Sequence, residues 1–191
     1  FNKPHVTNNE IVFMEQAIES GHIAGDGSFT KQAQSILESQ LKGTSKVLLT
    51  TSCTHALELA AILLNLEQGD EVIIPSYTFV SSALAFVMHG AVPVFADIRF
   101  DTLNIDEKKI EALISPRTRA IVVVHYAGVS CEMDSIMKIA SRNHLLVIED
   151  NAHGLYGKYK GRNLGTIGHM ATQSFHETKN ISCGEGGAIV I

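Results

Sequence analysis

Cysteine, long apolar runs and clustered positive charge are all scarce in this chain of 191 residues. Its three cysteines, Cys53, Cys131 and Cys183, leave at least one unpaired and show no C-x-x-C spacing. That argues against a disulfide scaffold or a zinc site and points to a reducing, cytoplasmic setting. The longest apolar stretches, such as Val47–Thr50, Ile121–Val124 and Leu145–Ile148, fall far short of the ~20 residues a membrane-spanning helix needs. Phe1–Glu10 has no basic start followed by an apolar run, so no signal peptide is expected. Lys and Arg number 15 against 20 Asp and Glu, for a formal net charge of −5, and they form no block, which argues against nucleic acid as the main partner.

What is present is ordinary globular material, 45% hydrophobic and 18% charged, enough for one large core. No internal repeat, low-complexity tract or linker interrupts it, and one continuous domain is expected. Short apolar runs alternate with amphipathic segments, the βαβ signature of an open, mostly parallel sheet flanked by helices. Asn8 or Asn9 is expected to cap a helix carrying Ile11, Met14 and Ile18 on one face and ended by Gly21. A helix over 31–41, a strand at 46–50, a helix over 54–66 and a strand Glu71–Pro75 follow. Then come helix 79–89, strand 92–97, helix 106–114, strand 119–125, helix 134–143 and strand 145–150. Beyond Asp150 the pattern changes to strands at 156–160, 170–175 and 187–191 joined by Gly-rich turns, so part of the sheet is expected to be antiparallel. The terminal run GGAIVI reads as an apolar strand just begun. Because exposed apolar edge strands are a liability, the 191 residues are expected to belong to a longer chain.

Ligands collect at the carboxyl ends of strands in open α/β sheets, so the residues just beyond each strand hold the chemistry. Thr51-Ser52-Cys53-Thr54-His55-Ala56 follows a strand and opens a helix. Its free amides suit an anion, and capping by Ser52 or Thr54 is the competing reading. The Gly-Lys-Ser/Thr ending of a P-loop is missing. At the end of a buried strand, Asp150 requires a cation, a metal or a protonated heterocycle, and His153 could reach the same ligand; a cap plus a surface histidine is the alternative. Lys179, in SFHETKNISCGEGG, is either a solvated charge or an amine able to form a Schiff base, with glycines after it that admit a bulky group. Phe79, in Pro75-Ser76-Tyr77-Thr78-Phe79, is either core or a flat face for a ring. Together these sites describe a phosphate, a ring nitrogen, a π-face and a carbonyl, which pyridoxal 5′-phosphate (PLP) combines.

On SFHETKNISCGEGGA, VIEDNAHG, PSYTFVSSA and TSCTHALELAA the chain resembles the DegT/DnrJ family of PLP-dependent sugar-nucleotide aminotransferases, along its whole length. The resemblance implies the fold-type-I PLP transferase fold of aspartate aminotransferase, with residues 1–191 as the PLP-binding large domain and a small C-terminal domain absent. It implies that Lys179 holds PLP as a Schiff base and shuttles the proton, while Asp150 pairs with the pyridinium nitrogen. His153, where relatives have Gln or His, would bond the phenolic oxygen. Phe79 would stack on the ring, and Ser174 with the amides of Thr54 and His55 would hold the phosphate. His55 stands where relatives usually carry a small residue.

Partners implied by the resemblance are L-glutamate, a nucleotide-linked 4-keto-6-deoxyhexose aminated at C4, and a second subunit in a homodimer with shared active sites. Three readings compete with amino transfer. One is sugar 3-dehydration, which in the family uses a histidine where Lys179 stands. Another is a fragment that binds cofactor or nucleotide without turnover. The last is a metal site from His125, Cys131, His153 and His176, whose spacings lack a zinc-ligand pair.

Overall fold

The computed structural model describes residues 3–42 and 46–191; Phe1 and Asn2, which open the segment read for a signal peptide, lie outside them. In chain order the elements are α1 (Asn9–Glu19), α2 (Ser28–Gln40), β1 (Val47–Thr50), α3 (Cys53–Leu63), β2 (Glu71–Pro75), α4 (Ser81–Val87), β3 (Val92–Ala96) and α5 (Glu107–Ile110). They continue with β4 (Thr118–Val124), α6 (Met133–Arg142), β5 (Leu146–Asp150), β6 (Lys158–Tyr159), β7 (Arg162–Asn163), β8 (Met170–Ser174) and β9 (Gly187–Val190). Among the described residues no helix is long and apolar enough to cross a membrane.

Among the described residues the main sheet has seven strands in the order β1-β9-β8-β5-β4-β2-β3. Pairings β2–β3, β2–β4, β4–β5 and β5–β8 are parallel, while β9 runs antiparallel to both β8 and β1. Residues alternate between the two faces along each strand, as the pleat requires. Ile73, Ile121, Val123 and Val147 point to one side, against Met133, Ile136, Ile139 and Ala140 of α6 and Ile110 of α5. Val72, Ile74, Ala120, Val122 and Ile148 point to the other, against Ala56, Leu57, Ala60 and Ala61 of α3 and Ala85 and Phe86 of α4. The architecture is therefore the α/β type expected, a mostly parallel mixed sheet covered by helices on both faces.

Beyond Asp150 the structure bears out the antiparallel part of the sheet and corrects the strand at 156–160. The antiparallel portion is confined to β9, since β8 lies parallel to β5 even though the connection between them holds no helix. The strand expected at 156–160 shrinks to β6, which pairs only with β7 in a separate hairpin. Tyr156 (φ 67°) and Lys160 (φ 48°) adopt left-handed backbone that an extended strand cannot continue. Finally, β9 is no exposed edge: it sits between β1 and β8, and Ala188, Ile189 and Val190 are apolar because both flanks and faces are covered.

Helix α1 begins differently from the Asn cap expected. Asn8 takes a left-handed φ of 70° and makes no side-chain cap bond; instead Thr7 donates through its backbone N–H and its hydroxyl to Glu10 Oε1 at 2.8 and 3.0 Å. Its apolar stripe is present but uncovered, with Ile11, Met14 and Ile18 at 58, 53 and 67% exposure.

A buried charge ties the sheet's centre together. Glu149, at zero exposure, accepts from the Gly165, Ile167 and Gly168 amides at 2.8, 2.7 and 2.6 Å and from His125 Nε2 at 2.8 Å. His125 Nδ1 takes the Cys131 amide at 3.2 Å; an N–H can only donate, so the imidazole proton sits on Nε2. Burial alone would raise the Glu149 carboxyl, but His125 and the loop amides outweigh it and hold the group below the usual carboxylate range. A depressed folded-state value stabilises the fold fully above the ordinary carboxylate range and loses that effect as pH falls through the depressed value.

Gly187 opens β9 beneath the start of α3. A Cβ there would overlap the Ser52 carbonyl carbon and lie 2.5 Å from the Cys53 amide nitrogen, backbone atoms that cannot swing away. Two outcomes follow, both read by urea unfolding. Gly187→Ala is expected to lower stability by about 1–3 kcal/mol through overpacking against backbone. Glu149→Gln is expected to cost about 2–4 kcal/mol at neutral pH and to flatten the acid side of the stability profile.

Candidate active site

All the parallel strands end on one edge of the sheet, and there a cavity of about 370 Å³ opens, within the ~300–1,000 Å³ range of small-ligand sites. It is lined by Ser52, Cys53 and Thr54 from the start of α3, Thr78 and Phe79 after β2, and Tyr126 after β4. Asp150 and His153 enter from the end of β5, and Ser174 and Lys179 from the end of β8 and the loop that follows. Lys179, Asp150, Phe79, His153, Ser174 and Thr54, expected from sequence to share a site, thus converge from segments up to 125 positions apart.

Asp150 is 4% exposed, and among the described residues its side chain accepts from neutral donors: the Ser82 hydroxyl at 2.6 Å on Oδ2 and the Ala152 amide at 3.2 Å on Oδ1. Alternation along β5 sets this up, because Glu149 faces the α6 side and Asp150 faces the cavity. Ser82, fully buried in α4, also pairs with Thr78 Oγ1 at 2.8 Å, and its neighbour Ser81 pairs with Thr54 Oγ1 at 2.9 Å. Two consecutive serines thereby link α4 to the carboxylate and to the head of α3. Neither was singled out from sequence, although both lie in the PSYTFVSSA run; a small hydroxyl pair opening an otherwise apolar helix is the signal that marks them.

Lys179 sits in the loop joining β8 to β9, which closes through Phe175 N–H to Gly186 O (2.8 Å), Cys183 N–H to Phe175 O (3.0 Å) and Glu177 N–H to Gly184 O (2.9 Å). Its own amide bonds the His176 carbonyl at 2.9 Å, a tight turn that presents the side chain at the cavity. Phe79 is 71% exposed and forms part of the wall, a large flat apolar face left open to a ligand.

The head of α3 resolves the capping question. Ser52 is the N-cap, its Oγ accepting from the His55 amide at 3.2 Å. His55 is therefore not brought to the cavity: its amide is capped, its ring Nδ1 meets the Thr51 hydroxyl, and the side chain is exposed outside the lining. Thr54 and Cys53 remain at the positive end of the helix dipole, and they line the same cavity as Ser174. Burial, then the nearby Asp150 charge, push the Cys53 thiol far above its usual range, so it stays protonated and donates to Thr172 Oγ1 at 3.4 Å.

His153 reaches the cavity with its Nδ1 accepting the Ala127 amide at 3.2 Å and its ring edge-on to Tyr126, with centroids 5.5 Å apart. Tyr126 in turn packs on Tyr77, whose hydroxyl lies 3.1 Å from its own. Burial first, then the positive charge of Lys179, lower the His153 pKa, while Asp150 opposes them. Removing that charge with Lys179→Ala is therefore expected to raise the His153 titration midpoint, which histidine proton resonances followed against pH will measure.

His125 is bound to Glu149 and to the Cys131 amide. Among the described residues no group of three or more His, Cys, Asp or Glu side chains is placed to hold a metal ion.

Comparison with known proteins gives this arrangement a lineage. The chain is 41% identical over 189 residues to the spore coat polysaccharide biosynthesis protein SpsC of Bacillus subtilis, covering 99% of this chain and 48% of that protein. It thus spans about half the length of that relative. Among solved structures it superposes on the PLP form of the sugar aminotransferase Spr1654 from Streptococcus pneumoniae with a TM-score of 0.91, 29% identity and coverage of 99% of this chain and 52% of that one. On DesI, solved in the presence of its TDP-sugar product, the TM-score is 0.90 at 33% identity, with coverage of 100% and 50%. The family model described as DegT/DnrJ/EryC1/StrS aminotransferase matches residues 4–191, and the chain belongs to that family.

Proposed function

We propose that residues 1–191 form the cofactor-binding large domain of a PLP-dependent sugar aminotransferase. The observation that carries this reading is the placement of Asp150 and Lys179 on one cavity wall system, the carboxylate buried with neutral donors only and the amine held at the turn of a short loop. The residues suit the group chemically. A buried carboxylate that makes no ion pair among the described residues suits a protonated ring nitrogen, Phe79 offers a face for that ring, and the head of α3 with Thr54 and Ser174 suits a phosphate. Support also comes from Spr1654, solved in its PLP form, and DesI, solved with its TDP-sugar product.

When bound, PLP supplies an electron-accepting ring conjugated to a carbonyl carbon. Lys179 Nζ is the amine that anchors it and, once released, the base that takes a proton from the donor's Cα in one half-reaction and delivers one to the sugar carbon in the other. Asp150 keeps the proton on the ring nitrogen, and His153 donates through Nε2 to the phenolic oxygen. The amino donor is L-glutamate. The acceptor is a nucleotide-linked 4-keto-6-deoxyhexose, specifically dTDP-4-oxo-6-deoxy-D-glucose, giving dTDP-4-amino-4,6-dideoxy-D-galactose. A second subunit of a cytoplasmic homodimer and a small C-terminal domain complete the sugar pocket in this reading; the exposed Phe79, Val80, Leu84 and Met88 around the cavity mouth and α4 offer an apolar face for such a partner.

Lys179 rather than histidine at its position favours amino transfer over sugar 3-dehydration. The deciding experiment incubates the full-length protein with PLP, L-glutamate and a panel of 4-keto nucleotide sugars and identifies the products. Amination at C4 with release of 2-oxoglutarate supports the reading; dehydration or no turnover of any sugar overturns it. Lys179→Ala is expected to lose the borohydride-reducible link to PLP and at least ~10²-fold in amino transfer, and Asp150→Asn to keep the link but lose turnover of similar size.

A further inference from the structure

The turn after β4 contains an unusual element. Ala127, a residue with a Cβ, adopts φ 52° and ψ 23°, left-handed backbone that is strained for anything but glycine and persists only where its surroundings hold it. Here the hold comes from Asn104, 1% exposed and remote in sequence. Its Oδ1 accepts the Tyr126 amide at 3.0 Å and its Nδ2 donates to the Val129 carbonyl at 2.9 Å, so a single carboxamide grips both ends of the turn. Gly128 N–H to His125 O (3.0 Å) and Val129 N–H to Tyr126 O (2.9 Å) close the turn internally. The result is that the Ala127 N–H, instead of joining a helix or a ladder, points at His153 Nδ1 at 3.2 Å.

A backbone N–H can only donate, so Nδ1 must present its lone pair, and the one proton of the neutral ring resides on Nε2. The edge-on Tyr126 ring, itself packed on Tyr77 at 4.8 Å, restricts rotation of the imidazole. With Nδ1 occupied at the wall, Nε2 is the nitrogen left for a ligand in the cavity.

We propose that Asn104 is a positioning residue: by clamping the Tyr126–Val129 turn it aims the Ala127 amide at His153 and fixes His153 as an Nε2–H donor toward the phenolic oxygen of the cofactor. The role toward the cofactor rests on the PLP reading above; the tautomer lock does not. Glutamine satisfies the same two demands, since its carbonyl oxygen accepts the Ala127 amide while its NH2 donates to the ligand. His153→Gln is therefore expected to preserve cofactor binding.

The test uses the full-length protein with ¹⁵N-labelled histidine, stripped of cofactor and held at mildly alkaline pH, with His153 identified by the signals lost in His153→Gln. Long-range ¹H–¹⁵N spectra are expected to show a protonated Nε2 and a bare Nδ1 for wild type. Asn104→Ala is expected to average the two nitrogens and to weaken PLP binding about tenfold, as befits one weakened charge-assisted bond. Asn104→Asp keeps the acceptor for the Tyr126 amide but sets a carboxylate oxygen against the Val129 carbonyl, and is expected to average the two nitrogens as Asn104→Ala does. His153→Gln is expected to bind PLP within about threefold of wild type. A wild-type Nδ1–H or an even mixture overturns the lock, as does an unchanged spectrum in Asn104→Ala or in Asn104→Asp. Should the spectra behave as expected while wild type fails to bind PLP, the cofactor reading falls and the lock stands.

Discussion

The buried carboxylate of Glu149 is the constraint on which the rest of the site depends. A charge with no water contact is tolerable only when its surroundings are built to receive it, and here one imidazole and three loop amides do so. That requirement draws the 165–168 loop against β5 and holds His125 at the end of β4, so the two central strands finish in register. The next residue, Asp150, faces the other way by the period of two and inherits a rigid platform. Neighbouring acids on one strand thus have opposite roles: one is satisfied internally and organises the sheet, while the other keeps only neutral donors and remains available to a cationic partner.

Around that platform the site is assembled from the heads and tails of elements. Helix α3 contributes its positive end, α4 its two buried serines, and the turn after β4 a strained amide directed at His153. Each contribution is a polar group that regular secondary structure would otherwise consume. Phe79 and the Tyr77–Tyr126 pair form the apolar and aromatic rim.

Much of this was legible in the sequence because the cues were local. Runs such as Val72-Ile73-Ile74 and Ile121-Val122-Val123-Val124 announce buried parallel strands, and Thr54 stands at a helix start, Asp150 and Ser174 at the last positions of β5 and β8, and Phe79 and Lys179 in the loops that follow β2 and β8. The errors have physical reasons as well. His55, whose amide the resemblance assigns to the phosphate, gives that amide to the Ser52 cap and keeps its side chain outside the cavity lining. The strand at 156–160 was drawn from composition alone, and no composition reports left-handed backbone at Tyr156 and Lys160. The apolar terminal run, read as a strand just begun, is covered on both flanks by β1 and β8, which explains its composition and which only topology reveals. Asn104, Ser82 and the Glu149–His125 pair escaped notice because their partners lie 22–68 positions away, beyond any pattern of local spacing.

Gly187 fixes a different kind of relation. It brings the strand that leaves the lysine loop into bare backbone contact with the first residues of α3, so the spacing between the start of β9 and the head of that helix is set by main chain on both sides. A span set this way has no side chain through which substitution could lengthen or shorten it. Side chains at the aromatic rim can change without disturbing that main-chain contact, so the mouth of the cavity is free to vary while the spacing between the head of α3 and β9 stays the same.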